Sequence, residues 1–574
     1  MKPQIEPIDD IAVIFSMIKK MNIIEALDRV FIPHGNWTGI TVGELTSIWL
    51  CYLISTQDHR LSYFEDWAKV RLHIIGVLLS KEVTIYDFSD DKLELLLGYF
   101  SSSSKWNGFE YIVDNHVIRI FDLETEILRV DATVGKSFST IIKGGLFQHG
   151  NSKQFRKDLG QFKTMLCTLD PMGYPLTNMS VSGNSADDPL YIPVIAQAMK
   201  RLTQSGSMFV GDCKLGSLET RAFVEKNEHY YLCPLSAVQV NKEDLGRYID
   251  NIEREQIEQQ KIRKDGQIIA KGYSFNKLRW FIDDQEELII WQEQLYIIRS
   301  YAFAKTQIEA FVKRIKRCIN DLLALNISKQ GKKTFNNLID LTAECQRIIK
   351  QYKMQNFINF EIEEQVIIKH VRKWKERPAR EEKQINYQIK VEQNNACIAQ
   401  EKKVLGWRVY ASNCTSKDLT VEKVTLLYRK EYIIERRFDC LKNKPLNLIP
   451  LYLRKDEYVL GLINILLLAL KVITLIEFSV ARNLEKSNKQ IAGLYVGNPK
   501  HKTQKPSASL ILKAFLGIYC IAAIDMKNTK IEYQVTSLNP LQKKLLRLMN
   551  MPETIYTNFD KTVRHKQNNT ILKN

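Results

Sequence analysis

Polar and apolar positions follow the period of helices through the first 125 residues. Apolar side chains recur every three or four positions in the stretches 11–18, 45–54 and 92–100. On a helix this spacing gathers the apolar side chains on one face, which packs against neighbouring helices. The pattern therefore predicts an all-helical N-terminal domain over residues 1–125.

From residue 126 onward the apolar runs become short and are typical of β-strands. The sequence Asp170-Pro-Met-Gly173 separates two such runs and is typical of a hairpin turn. Two other runs end in acids, Asp131 and Asp212, and we expect each acid to lie where its strand ends. Antiparallel strands, a helix and then further strands indicate a mixed α/β core. The predicted elements are strands at 126–133, 162–169 and 174–182, a helix at 189–202, and strands at 208–212 and 230–235.

The composition changes again between residues 237 and 405, where charged stretches separate the apolar runs. We predict an insertion domain of strands and helices at 237–405, which divides the core into 126–236 and 406–485. Residues 486–574 are predicted to form a C-terminal helical region. The elements predicted after residue 236 are strands at 279–282 and 288–300, helices at 306–325 and 335–353, a charged connector at 372–383, and a strand at 406–413.

One apolar run, at 458–476, resembles a membrane span. Lys471 interrupts the run, Asn464 lies within it and Glu477 follows it. The uninterrupted part is therefore shorter than the roughly 20 residues that cross a bilayer. We predict a helix buried in a large core, and no association with a membrane.

Charge and cysteine content narrow the class of protein. The 574 residues carry a formal net charge of +17, which is compatible with a polyanionic partner such as nucleic acid. The ten cysteines are scattered and form no Cys-x-x-Cys pair, which argues against a zinc ribbon and fits a reducing cytosol. The first ten residues contain acids where a signal peptide would have a basic and then an apolar run.

Three acids are candidate metal ligands. Glu435 lies seven residues from both Tyr428 and Lys442, and on a continuous helix such a step returns to nearly the same face. If the strands that end in Asp131 and Asp212 are neighbours, their carboxylates converge, and a helix packed on the sheet would add Glu435. Clustered carboxylates favour a hard divalent cation, Mg²⁺ or Mn²⁺, and two such ions can support displacement at a phosphodiester. Taken singly, each acid also suits a turn or a helix cap.

The arrangement resembles the DDE transposases of bacterial insertion sequences, in particular the insertion-sequence-four group with the signature Tyr-x2-Arg-x3-Glu-x6-Lys. Tyr428, Glu435 and Lys442 match this signature, and Glu431 stands where the signature has arginine. The resemblance covers most of the chain, including the N-terminal helices. The other matching stretches are 130–133, 150–159, 210–212, 408–413 and 545–550.

The resemblance implies a ribonuclease-H-like mixed sheet core, with the insertion domain between the second and third acids and a DNA-binding N-terminal domain. It implies Asp131, Asp212 and Glu435 as catalytic ligands of two Mg²⁺ or Mn²⁺ ions, and Tyr428 and Lys442 as contacts to the DNA backbone. The implied reaction is nicking at terminal inverted repeats, followed by strand transfer of the freed 3′-hydroxyl into target DNA. The resemblance also implies a homodimer on paired DNA ends, in the bacterial cytoplasm at the nucleoid.

Glu431 departs from the signature, because an arginine there would bind phosphate and a glutamate repels it. We expect Arg429, Arg436 or Arg437 to supply the missing positive charge. Glu431 lies one helical turn from Glu435 and is the alternative third ligand. The spacing to the signature lysine favours Glu435 as the third ligand.

Further DNA contacts are predicted outside the signature. The basic loop after the first acid is expected to follow a DNA backbone, with contacts from Lys153, Arg156 and Lys157. Trp280 and Trp291 lie in the predicted insertion domain and could stack on an unpaired base, with core packing as the favoured role.

Other functions fit parts of the pattern. A catalytically inactive relative that only binds DNA would share most of these residues, as would a ribonuclease-H-like nuclease without strand transfer. A tyrosine recombinase would need an Arg-His-Arg cluster. His116-Val-Ile-Arg119 matches part of that motif, but it lies too early in the chain and lacks suitable arginines around it. The leading hypothesis is therefore a DDE-type transposase, an enzyme of phosphodiester hydrolysis and transesterification.

Overall fold

The structure is a computed structural model in which the chain divides into two compact units. The first unit comprises Met1–Cys233, Trp280–Ile289 and Tyr428–Asn574, and the second comprises Pro234–Arg279 and Ile290–Leu427. The described residues are 4–138, 141–150, 158–327, 335, 337–372, 378–451, 453–524 and 531–560.

The N-terminal part of the first unit is mainly helical, which confirms the helices predicted there. A short strand, β1 (Gln4–Pro7), precedes them and was not predicted. The helices are α1 (Ile11–Lys20), α2 (Ile23–Val30), α3 (Val42–Thr56), α4 (Phe64–Lys69), α5 (Leu72–Leu79), α6 (Asp90–Phe100) and α7 (Ser103–Phe121). Local sequence determines where α3 begins, because the Thr41 side chain accepts the Glu44 N–H and the Glu44 side chain accepts the Thr41 N–H. Most of α3 is buried, as expected for a helix at the centre of a bundle.

The strands of the first unit form a mixed sheet, as the pattern of short apolar runs predicted. Its elements are β2 (Ile127–Ser137), β3 (Gly160–Leu169), β4 (Tyr174–Ser182), α8 (Tyr191–Met199), β5 (Met208–Gly211), α9 (Leu218–Lys226) and β6 (Tyr230–Pro234). The strands lie in the order β4-β3-β2-β5-β6. The β2–β3 and β3–β4 pairs are antiparallel, and the β2–β5 and β5–β6 pairs are parallel. Helix α8 packs against β3 and β4.

The hairpin turn predicted at 170–173 is confirmed between β3 and β4. Gly173 has a φ of +69°, a left-handed conformation that glycine adopts without steric cost. The Asp170 carboxylate accepts two hydrogen bonds of 2.8 Å from the buried guanidinium of Arg129 on β2. The turn is therefore fixed to the strand that carries Asp131.

The second unit contains strands and helices, as predicted for residues 237–405. Its elements are α10 (Lys242–Arg254), β7 (Gln260–Lys264), β8 (Gln267–Ile282), β9 (Leu288–Ser300), α11 (Tyr301–Leu323), α12 (Leu338–Tyr352), β10 (Ile358–Val371), β11 (Arg380–Gln393), α13 (Asn395–Val404), β12 (Trp407–Ser412) and α14 (Val421–Tyr428). Three of them, β8, β9 and α14, extend into the segments of the first unit. Strands β12, β9, β8 and β7 are neighbours in that order. The prediction of a charged connector at 372–383 is wrong in part, because β10 and β11 pair along their whole length on either side of residues 372–379. Their charged, weakly alternating sequence concealed them.

After the second unit the chain returns to the first with α15 (Tyr432–Lys442) and α16 (Asp456–Lys486), followed by α17 (Ala508–Lys513), β13 (Tyr519–Ile524), β14 (Ile531–Val535), α18 (Pro540–Leu548) and α19 (Thr554–Thr557). Helix α15 packs against β2 and α16. The predicted C-terminal helical region contains α17, α18 and α19, but it also contains two strands, because β13 pairs with both β1 and β14. These strands are too short for an alternation of polar and apolar residues to reveal them in the sequence.

Helix α16 is the buried helix that the apolar run predicted. In the described part of the chain it has the length and hydropathy of a membrane span, yet 89% of its most apolar stretch is buried within the protein. It contacts α1, α3, α6, α15, α17, α18 and β4. Its 31 residues thus form a central element of the first unit.

The lysine inside α16 belongs to a buried ion network, which we define as Glu110, Asp114, Arg201 and Lys471. The Lys471 ammonium lies 2.9 Å from Glu110 and 2.7 Å from Asp114. The Arg201 guanidinium lies 3.0 Å from Glu110 and 3.1 Å from Asp114. The Tyr174 hydroxyl donates to Asp114 at 2.8 Å. Two acids therefore face two bases, and the four formal charges cancel.

Candidate active site

Strands β2 and β5 bring Asp131 and Asp212 together. The parallel β2–β5 ladder runs from Ile127 and Met208 to Val130 and Gly211. Asp131 and Asp212 are the next residues on the two strands, at the point where this ladder stops. The absence of a side chain on Gly211 permits the close approach, because a Cβ there would lie 3.0 Å from the Val130 carbonyl oxygen.

The prediction that Asp131 lies at the end of its strand is wrong. Strand β2 continues to Ser137, and its residues pair with β3 along the whole length. What ends beside Asp131 is the pairing with β5. The sequence pattern showed a change at this position but did not distinguish the end of a ladder from the end of a strand.

The helical stretch that carries Glu435 is interrupted. Helix α14 ends at Tyr428, a 3-10 turn spans Arg429–Glu431, and α15 begins at Tyr432. The prediction that Tyr428, Glu435 and Lys442 share one continuous helix face is therefore wrong. A 3-10 turn has about 3.0 residues per turn, so it rotates Tyr428 away from the α-helical register. The seven-residue relation applies only to Glu435 and Lys442, which both lie on α15.

Four carboxylates, Asp131, Asp212, Glu431 and Glu435, act on one another, and we name them the acid cluster. Burial raises the pKa of Asp131 to about 7. The negative charges of the other three acids contribute to this rise, and the N–H that Ala132 donates to Oδ1 at 2.7 Å opposes it. Burial and then the charge of Glu435 raise the pKa of Glu431. Positive charge in this region is therefore insufficient to compensate the acids.

The two acids on the strands use their oxygens unequally. Asp131 Oδ1 accepts the Ala132 N–H. Asp212 Oδ1 accepts the Lys214 N–H at 2.8 Å and the Tyr191 hydroxyl at 2.7 Å. Within the described residues, no hydrogen bond reaches Oδ2 of either acid. In the part of the chain that the structure describes, each acid thus has one oxygen held by the protein and one that accepts no hydrogen bond.

Glu431 and Glu435 occupy different environments. Glu431 is half-buried and lines a narrow cavity together with Asp131, Arg129 and Tyr428. A hydrogen bond with Tyr428 and the charge of Arg129 lower the pKa of Glu431, although burial outweighs them. Glu435 is exposed on the first turn of α15. Both acids thus remain candidates for the third position, one enclosed and one open.

The donor set of the acid cluster suits a hard divalent cation. Carboxylate oxygens are the ligands that Mg²⁺ and Mn²⁺ prefer. Burial first, and then the charges of the other acids, raise the pKa of Asp131, and a cation would relieve both effects. Among the described residues, however, no three His, Cys, Asp or Glu side chains form a group tight enough to hold an ion as they stand. The cluster has the chemistry of a metal site, with its side chains still apart.

The predicted basic contacts have different surroundings. Lys442 donates to the Thr133 hydroxyl on β2 at 2.6 Å, and burial lowers its pKa. Arg436 and Arg437 both pair with Glu477 of α16, at 2.9 Å each. The Arg437 side chain is buried and also donates to the Met172 carbonyl at 2.6 Å, so it fixes α15 in place rather than facing a DNA surface.

The remaining predicted DNA contacts are partly exposed or lie outside the described residues. Arg429 is exposed in the 3-10 turn before α15. Lys153, Arg156 and Lys157 lie outside the described residues. The predicted insertion-domain tryptophans differ from each other. Trp291 is buried, which confirms core packing, whereas Trp280 is 63% exposed, so core packing is wrong for that residue.

Sequence reasoning missed two residues at this site. Arg129 lies two positions before Asp131 and is held by Asp170, and Tyr191 donates to Asp212. Nothing in the local sequence marks either residue, because each contact joins positions more than 20 residues apart. The only available signal was that a hairpin acid and a helix start lie near the predicted strand ends.

Comparison with known proteins identifies the family of the chain. The model of the transposase DDE domain matches residues 123–471, more than half of the chain, and this range contains the whole acid cluster. No curated protein matches the sequence. One solved structure that matches is the cryo-EM structure of a piggyBac transposase synaptic complex with hairpin DNA, at 10% identity, covering 85% of this chain and 79% of that chain with a TM-score of 0.33. A score this low supports no statement about this chain. On the family match, the chain belongs to the transposases with a DDE domain.

Proposed function

We propose that this transposase cleaves DNA at terminal inverted repeats and transfers the freed 3′-hydroxyl ends into target DNA. The observation that carries the proposal is the position of Asp131 and Asp212 as neighbours at the end of the β2–β5 ladder, with an available oxygen on each. Glu435 is the proposed third acid. The proposal includes a ribonuclease-H-like core, membership of the insertion-sequence-four group, and a homodimer that holds paired DNA ends.

Asp131, Asp212 and Glu435 would hold Mg²⁺ or Mn²⁺, two ions in our proposal. Bound there, the ions would supply charge that activates a water or a 3′-hydroxyl and stabilises the leaving oxygen. The protein's part is to keep the nearest buried guanidinium from neutralising the acids. Arg129 lies nearest in sequence to Asp131, but its guanidinium is occupied by Asp170.

Lys442 is the proposed contact to the DNA backbone beside the cleaved bond. Its ammonium already lies on β2, at Thr133, two residues from Asp131. A phosphate that enters the site can replace the Thr133 hydroxyl as the partner of this ammonium, and a charge-assisted bond to phosphate is stronger than a bond to a neutral hydroxyl. Tyr428 and the exposed Arg429 are proposed as further backbone contacts, and residues 1–125 as a DNA-binding domain.

Nicking of the element's own ends tests the proposal. The full-length protein is incubated with Mn²⁺ or Mg²⁺ and a duplex that carries the repeats flanking its gene, and the products are separated on a denaturing gel. Asp131→Ala, Asp212→Ala and Glu435→Ala are each expected to reduce nicking by at least about 10³-fold, or about 4 kcal/mol in the barrier, with DNA binding retained. Glu219→Ala is the control, because Glu219 is also an exposed acid in the first turn of a helix, α9.

Several outcomes would redirect the assignment. Full activity of Glu435→Ala together with loss of activity in Glu431→Ala would transfer the third position to Glu431. Nicking without joining of pre-cut ends would indicate a nuclease. DNA binding with no nicking in either ion would indicate an inactive relative. The negative charge of Glu431, which acts on Asp131, is the structural reason to test for this outcome.

A further inference from the structure

Tyr191 lies at the start of α8 with its side chain turned into the first unit. It is the first residue of the helix, and only 1% of its surface is exposed. Helix α8 packs on β3 and β4, so the tyrosine is held by the same sheet that carries the acids. A buried phenol needs a hydrogen-bond partner. Tyr191 finds this partner in Asp212.

The hydroxyl of Tyr191 acts on one particular oxygen. It donates to Asp212 Oδ1 at 2.7 Å, and the Lys214 N–H donates to the same oxygen at 2.8 Å. A tyrosine hydroxyl is protonated at neutral pH, so the phenol is the donor in this hydrogen bond. Two donors on Oδ1 make the two oxygens of the carboxylate inequivalent and fix its rotation.

We propose that Tyr191 is a positioning residue of the active site, which holds Asp212 so that Oδ2 faces the divalent cation. The inference rests on the proposed function, because it assigns a role to a neighbour of a proposed ligand. Hydrogen bonds from surrounding groups orient metal ligands in proteins, and their loss typically costs about 10–100-fold in metal affinity or activity.

A second tyrosine–aspartate pair in the same unit shows what a purely structural contact looks like. Tyr174 is also fully buried and donates to Asp114 Oδ1 at 2.8 Å. Both oxygens of Asp114 accept hydrogen bonds from Lys471, at 2.7 and 3.0 Å. Asp114 therefore has no oxygen left for a ligand, whereas Asp212 Oδ2 has no hydrogen bond from the described residues.

Direct binding of Mn²⁺ to the full-length protein tests the inference, with Tyr174→Phe as the matched control for Tyr191→Phe. Each variant removes one buried hydroxyl that donates to an aspartate. Free Mn²⁺ is measured by electron paramagnetic resonance, and thermal unfolding is followed in parallel. Tyr191→Phe is expected to weaken Mn²⁺ binding by about tenfold or more and to raise the Mn²⁺ concentration for half-maximal nicking. Tyr174→Phe is expected to lower the Tm and leave Mn²⁺ affinity unchanged.

A folded Tyr191→Phe protein that binds Mn²⁺ as tightly as the wild type would overturn the inference and leave the proposed function intact. A wild-type protein that neither binds Mn²⁺ nor nicks DNA would overturn both. If Tyr191→Phe does not fold, 3-fluorotyrosine placed at position 191 or 174 carries the test. The ¹⁹F signal at 191 is expected to move on addition of Mg²⁺ and that at 174 to stay. An unmoved signal at 191 would count against the inference.

Discussion

The buried ion network and the acid cluster lie in the same unit but differ in their balance of charge. In the ion network two acids and two bases are completely enclosed and lie within about 3 Å of one another. In the acid cluster four acids repel one another, and the nearby base Arg129 is committed to the hairpin turn. The formal charges of the network cancel. The cluster has an excess of negative charge that a cation would neutralise.

This difference separates a structural use of buried charge from a functional one. Moving a charge out of water costs free energy, and only a well-placed partner offsets that cost. Burial opposes ionisation of Glu110, but the charges of Lys471 and Arg201 outweigh it and lower its pKa. At Asp131 burial is opposed mainly by the N–H of Ala132 rather than by a base, and the pKa is raised to about 7. A raised carboxyl pKa alone does not separate the two regions, because burial and the charge of Glu110 also raise the pKa of Asp114. The difference lies in the two bases that face the acids of the network.

The largest expected effect is on the ion network. Lys471→Met leaves two buried acids against one base, and we expect the free energy of unfolding to fall by about 3–5 kcal/mol. Urea unfolding followed by circular dichroism measures the change. The double variant Lys471→Met with Glu110→Gln restores the balance of charge and should recover part of the loss. A Lys471→Met protein as stable as the wild type would show that the network contributes little.

In the acid cluster, removal of a charged group is expected to raise the free energy of unfolding instead of lowering it. Because the pKa of Asp131 is raised from 3.8 to about 7, the folded protein holds a proton there that the unfolded chain has released. The free energy of unfolding of the metal-free protein therefore falls as pH rises from about 4 to about 7. In EDTA at pH 8, Asp131→Asn should stabilise the protein by about 1–2 kcal/mol, a figure reduced for partial exposure. Thermal unfolding at pH 4 and pH 8 checks this, and an equal effect at both pH values would contradict it.

The smallest expected effect concerns Glu431. Glu431→Gln removes one of the charges that raise the pKa of Asp131, so the metal-free protein at pH 8 should gain about 0.5–1 kcal/mol. The same thermal unfolding series measures it. Combination with Asp131→Asn should give less than the sum of the two single effects, because the two acids act on each other. Strict additivity would place Glu431 outside the acid cluster.

Sequence predicted the elements better than it predicted how they meet. The hairpin at 170–173 was predictable because a turn residue with positive φ has a local signature, and the apolar run of α16 was predictable from its length. The position of Asp131 was misread because the end of the β2–β5 ladder depends on a second strand almost 80 residues away. The break after Tyr428 has no proline or glycine to mark it.

The same reasoning explains what sequence could and could not give of the site. Asp131, Asp212 and Glu435 could be proposed from sequence because they carry recognisable spacing and context. Tyr191 was not found, because a tyrosine at a helix start is common and only the fold brings its hydroxyl to Asp212. The contacts of Arg437 with Glu477 and with the turn carbonyl of Met172 were likewise not predictable from the sequence.

Helix α16 contributes residues both to the ion network and to the contacts that hold the helix of Glu435. Lys471 completes the ion network, and Glu477, less than two turns further on, holds Arg436 and Arg437 of the helix that carries Glu435. A reading frame cut after α15 would keep every member of the acid cluster and lose the helix that supports them. A chain without segment 456–486 is therefore expected to contain all four acids and to lack the contacts that hold the helix of Glu435.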